Sequence, residues 1–174
     1  MTEPTALPIA AIVTRSSGEA NRLITEFAAR QQAAGRRVRG LVQALYNCDT
    51  GCQIALVDLD DGTHYPITQD LGAGSTSCGL DPALIAEAGV VMRRIIAEGA
   101  DLAIFNRFSG LEAEGGGFAA EMLTLMSQGL PVLTVVPEKH LGDWRHFTGG
   151  LACELPPDAQ ALDAWFAKLA PSSN

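Results

Sequence analysis

Apolar residues fall along this chain in two patterns, short continuous runs and longer stretches in which they recur every three or four positions. The first reads as a strand buried on both faces, the second as a helix with one buried side. Pro8 to Val13 is the first run, and it breaks at the polar turn Thr14-Arg15-Ser16-Ser17-Gly18. From Glu19 to about Ala34, Leu23, Ile24, Phe27 and Ala28 share a helical face, with Gly35 as the stop. Val38 to Val42 and Gln53 to Leu59 read as the next two strands. Asp60-Asp61-Gly62-Thr63 then turns the chain into His64-Tyr65-Pro66-Ile67, a hairpin return whose proline suits the edge of a sheet.

The second half repeats the alternation. Asp81-Pro82 is the pairing expected of an N-cap and first helical residue, and Leu84, Ile85, Ala88, Val91, Met92, Ile95 and Ile96 mark the helix that Gly99 closes. Asp101 to Asn106 predicts a buried strand, Phe118 to Met126 a helix stopping at Gly129, and Leu130 to Val136 the last strand, ended by Pro137. Trp144, Phe147 and the segment from Asp158 to Leu169 supply closing helices. Strands alternating with helices predict a single three-layer α/β domain over residues 1–174, with a mostly parallel sheet covered on both faces and an edge hairpin. Residues 8–170 are the expected core between short tails, and no repeat or linker divides them.

Composition agrees with that reading: 174 residues at 47% apolar can bury such a core without staples. The net charge of −8 argues against a nucleic-acid partner, and the one basic cluster, Arg36-Arg37-Val38-Arg39, reads as a solvated turn. No apolar run reaches the roughly 18 residues of a membrane span, and MTEPTALP is no export signal, so a cytoplasmic setting without membrane contact is expected. Cys48, Cys52, Cys78 and Cys153 are then reduced thiols. Cys48-x-x-x-Cys52 lacks the second ligand pair of a zinc site, and no metal is assigned.

Ligands of open α/β sheets gather at the carboxyl ends of the strands, where loops expose backbone amides and helix N-termini. Three polar loops fall there. The first contains Arg15, Ser16, Ser17 and Gly18, in the place of a phosphate-binding loop, but it has no lysine and a single glycine, so it falls short of a Walker sequence. It reads either as an anion-binding turn or as a solvated connection. The second, Gly72 to Asp81, carries Gly74, Ser75, Thr76, Ser77 and Cys78, many donors for a tetrahedral oxyanion or a flexible connector. The third opens with Asn106 and Arg107 where a Walker B acid would stand. Asn cannot supply the charge that holds magnesium, while Arg107 can pair with an anion. Glu112 and Glu114 in the same loop read as structural or surface acids.

The residues Gly40-Leu41-Val42-Gln43, Gln69 to Ser75, Cys78-Gly79-Leu80-Asp81-Pro82, Asn106-Arg107-Phe108 and Leu111 to Gly115 together resemble the bacterial domain-of-unknown-function 2478 family, over about Ile9 to Trp165. The resemblance implies kinship with small phosphate-loop nucleoside-triphosphatases and, through neighbouring molybdate-transport genes, molybdenum metabolism. On this basis the chain is expected to bind a molybdate- or tungstate-type oxyanion through a degenerate phosphate-loop fold. A magnesium-nucleotide ligand with NTPase activity is the second reading, and a noncatalytic adaptor the third. With the Walker lysine and acid missing, efficient NTP hydrolysis is not expected. A homo-oligomer or a molybdenum-pathway protein is the partner class considered.

Overall fold

A computed structural model of the chain describes residues 8–48, 51–69 and 79–169. Its strands are β1 (Ile9–Thr14), β2 (Val38–Cys48), β3 (Gly51–Asp58), β4 (His64–Pro66), β5 (Thr68–Gln69), β6 (Gly79–Leu80), β7 (Leu102–Ile104), β8 (Val132–Pro137) and β9 (Cys153–Leu155). Its helices are α1 (Ser17–Ala33), α2 (Pro82–Glu98), α3 (Gly110–Ala113), α4 (Ala119–Ser127), α5 (Leu141–Thr148) and α6 (Ala159–Leu169).

Seven strands form one sheet in the order β4-β3-β2-β7-β8-β1-β9. β2, β7, β8, β1 and β9 run parallel, whereas β3 pairs antiparallel with β2, and β4 antiparallel with β3, to finish the sheet on one side. The expected edge hairpin is therefore in place. Strand alternation sends Ala10 and Ile12 to one face, where α1 and α6 pack, and Ala11 to the other, where α2, α4 and α5 pack. Ile24 and Phe27 of α1 meet Trp165 and Phe166 of α6 on the first face, and Met92, Met122 and Trp144 share the core of the second. This is a three-layer α/β domain with a phosphate-loop-NTPase-like sheet.

The helix signals act as the pattern predicts. Asp81 accepts a hydrogen bond from the Ala83 amide ahead of Pro82, and Gly99 closes α2 at a φ of +84°. Three expectations are corrected. Leu130 to Val136 is not the last strand, because β9 pairs with β1 at the far edge; three residues are too few to show a period. The strand beginning at Val38 runs on to Cys48 and pairs with β3 from Leu41 opposite Asp58 to Cys48 opposite Gly51.

The third correction concerns Arg39, which is a strand residue only 5% exposed rather than part of a solvated turn. Its guanidinium donates to the Gly99 carbonyl at 3.2 Å and lies 3.6 Å from Glu98 and 3.8 Å from Asp60, so the burial of its charge is compensated. Among the described residues, no helix is long and apolar enough to cross a membrane.

Candidate functional site

The carboxyl edge of the sheet holds two constructions. The first lies between β1 and β8, whose following segments depart to opposite faces: α1 packs on one side and α5 on the other. Such a switch of direction opens a crevice, the usual ligand position in sheets of this class. Parallel register sets Thr14 beside Pro137, so the next residue on each strand, Arg15 and Glu138, meet. Arg15 Nε donates to Glu138 at 2.6 Å. That hydrogen bond, and then the Arg15 charge, hold the Glu138 carboxyl below its ordinary range.

Only Arg15 and Ser16 separate β1 from α1. Two residues cannot form the glycine-rich curl that wraps phosphates in a Walker loop. The Thr14 hydroxyl ties this turn internally, accepting from the Ser16 amide at 2.9 Å and donating to the Ser16 carbonyl at 3.0 Å. Ser16 is the N-cap of α1 without a side-chain capping bond, and Ser17 and Gly18 begin the helix. The helix end keeps its positive dipole, and Arg15 just before it is held in an exposed ion pair with Glu138.

The second construction is a cleft of about 290 Å³ on the face that carries α2. It exists because β7 stops at Ile104 while β2 continues to Cys48. Gly40 opposite Ile104 is the last paired position of the two strands. Beyond it β2 takes β3 as its partner, and the chain after β7 follows β8 instead, with Phe105 and Phe108 amides donating to Leu133 and Val135. The divergence leaves a notch, lined by Gln43 of β2, Ile54 and Leu56 of β3, Ile85 of α2, and Asn106 and Arg107 beyond β7.

Arg107 is the distinctive group in that notch. Its Nε is buried and has no hydrogen-bond partner, and among the described residues no carboxylate lies within ion-pair distance of it. A buried donor left open in a cleft is costly unless something occupies it. Glu112 also lines the cleft and is only 5% exposed, but its Oε2 accepts from the Ser109 hydroxyl at 2.6 Å and amide at 3.2 Å. That capping box fixes α3 and bears out the structural reading of Glu112.

The expected site residues thus divide. Arg15 and Ser16 stand with the start of α1 at the β1–β8 crevice, and Asn106 and Arg107 line the cleft. Gly74, Ser75, Thr76, Ser77 and Cys78 lie outside the described residues, as does the question of whether they converge with the others. The described flanks of their segment, Gln69 and Gly79, are paired in a two-strand ladder, and Ile67 just before it lines the cleft.

Sequence reasoning missed Glu138, whose carboxylate follows a strand far along the chain. It also missed Gln43, whose backbone amide and carbonyl are bound by the Asn21 carboxamide at 3.1 and 2.6 Å, holding β2 against α1. No spacing rule links such distant positions.

Residues 9–165 match the family described as "Protein of unknown function (DUF2478)". The chain belongs to the DUF2478 family. This DUF2478 chain is also 38% identical over 160 residues to the protein named "Molybdenum import ATP-binding protein ModC 2" of Bradyrhizobium diazoefficiens. The aligned region covers 91% of the DUF2478 chain but 18% of that relative. The chain is thus similar to one part of a much longer protein.

Proposed function

We propose that this chain binds a tetrahedral oxyanion of the molybdate or tungstate type in the Arg107 cleft, and that it acts in molybdenum handling in the cytoplasm without efficient nucleotide turnover. The observation that carries the reading is the Arg107 guanidinium, with its buried Nε unpartnered, in a cleft that Asn106 and Gln43 also line. Neutral donors and one cation suit a dianion that needs no metal to be held. The printed name of the relative, with its reference to molybdenum import, supports the choice of oxyanion. Arg15 is assigned a lesser part, since Glu138 already balances its charge.

The same printed name refers to ATP binding, and this favours a second reading in which a nucleotide is the ligand. Against turnover stand the two-residue β1–α1 connection, the absence of lysine from it, and Asn106 in place of an acid. A melting-temperature panel separates the readings. Molybdate and tungstate at a hundredfold excess over Kd are expected to raise the midpoint by about 5–10 °C. A shift confined to ATP or GTP with magnesium would replace the oxyanion reading with the nucleotide one. A flat response to every ligand, with a protein partner recovered in pull-down, would favour the adaptor role.

A further inference from the structure

A bare inorganic dianion would engage the polar wall of the cleft and leave its apolar walls unused. Beside its polar groups stand Ile54, Leu56, Ile67, Ile85, Leu111 and Phe118, supplied by elements that converge from β3, the ladder region, α2, α3 and the start of α4. A strongly hydrated oxyanion gains nothing from apolar walls and loses water against them. Leu56, Ile67, Ile85 and Phe118 are already buried and shape the cleft, whereas Ile54 and Leu111 are only partly buried, so a ligand with an apolar body would take that remaining apolar wall out of water and gain by it. We infer that the physiological ligand of this cleft is an oxyanion group carried on a compact, apolar, ring-sized organic body. The inference rests on the oxyanion reading of Arg107 and narrows it to a substrate class.

Three features define the class. Asn106 and Arg107 are adjacent and Ser109 is two residues on, with Gln43 added from β2, so the charged group of the ligand belongs at the wall that carries Arg107. Ile54 of β3 and Leu111 of α3 supply the partly exposed apolar wall that receives the body, backed by the buried Leu56 and Ile85. The volume of about 290 Å³ stands at the small end of ligand pockets and suits one ring or a fused pair rather than a nucleoside triphosphate. Glu112 keeps its negative charge in the lining, but Ser109 occupies its Oε2 and its Oε1 lies against Gly117, 2.7 Å from where a Cβ would stand, so it forms no ion pair with Arg107.

Titration calorimetry with phenyl phosphate and methyl phosphate, which carry the same head group, isolates the contribution of the ring. Molybdate and inorganic phosphate are run beside them. The expected result is that phenyl phosphate binds roughly tenfold or more tightly than methyl phosphate. Leu111→Ala should shrink that ratio, and Arg107→Ala should weaken both esters alike. Equal binding of the two esters, lost in Arg107→Ala, would overturn the apolar-body inference and leave the oxyanion reading standing. So would binding of molybdate with no binding of either ester. If none of the four anions binds, both fall. The wild-type ratio decides the matter even if a variant folds poorly.

Discussion

Gly40 lies at the point where β2 parts from β7, and its φ of +133° is outside the range an L side chain adopts readily. A Cβ there would stand 2.1 Å from the Ile104 carbonyl oxygen, a backbone atom that cannot swing aside. Gly40→Ala is expected to cost about 3 kcal/mol, read as a lower urea midpoint. A cost under about 1 kcal/mol would show that the two strands can separate without loss.

Asp58 gives the second prediction at this scale. Burial raises its carboxyl above the ordinary range, with Asp61 and Asp60 adding to the rise, while the Asp60 amide and Arg94 oppose it. Its Oδ2 has no hydrogen-bond partner and lies 3.6 Å from Arg94. Between the unfolded value and the raised folded one, the native state keeps a proton that the unfolded chain has released. Stability therefore falls as pH rises through that window and stays lower above it. Asp58→Asn should flatten this slope, so that its stability relative to wild type improves from about pH 4 to pH 7. Parallel unfolding curves across that range would contradict the assignment. None of this was legible at Asp58 or Arg39 from the sequence, because the turn-rich and arginine-rich segments around them look solvated until the strands close over them.

Among the elements, the long ones could be read, as could the short β4 and β7 where a marked turn or a buried run announces them, while other short ones could not. α1 and α2 repeat their apolar face over several turns, and Asp81-Pro82 and Gly99 mark the ends of α2 chemically. β9 and the β5–β6 ladder are too brief to show alternation, and α3 has a single turn within a glycine-rich loop. What makes that turn helical is the Ser109–Glu112 capping box. Ser109→Ala should therefore cost about 1 kcal/mol. The same change removes the hydroxyl and leaves the Glu112 carboxylate with only the residue-109 amide of that pair, in the cleft that holds Arg107. It should then weaken oxyanion binding by more than its effect on stability explains. Unchanged affinity in a destabilised variant would separate the helix cap from the site.

At the scale of the whole molecule, the order of strands creates both the β1–β8 crevice and the β2–β7 notch, and each receives one arginine that the sequence marked out. Arg15 and Arg107 could be found because each follows a buried run at the expected carboxyl end. Their difference in availability could not. It depends on Glu138, 123 residues from Arg15, and on the apolar walls contributed by Ile54, Leu56, Ile67 and Ile85. The fold converts two similar loop positions into a neutralised pair and an open cation.

Arg107, the open cation, is the group assigned to hold the oxyanion. The most direct test of that assignment is titration calorimetry of molybdate into wild type, Arg107→Ala and Arg15→Ala under identical conditions. Measurable binding by wild type is expected, with a loss of tenfold or more in Arg107→Ala, on the order of one charge-assisted hydrogen bond, and a change under about twofold in Arg15→Ala. Full affinity in Arg107→Ala, or its loss in Arg15→Ala alone, would contradict the assignment.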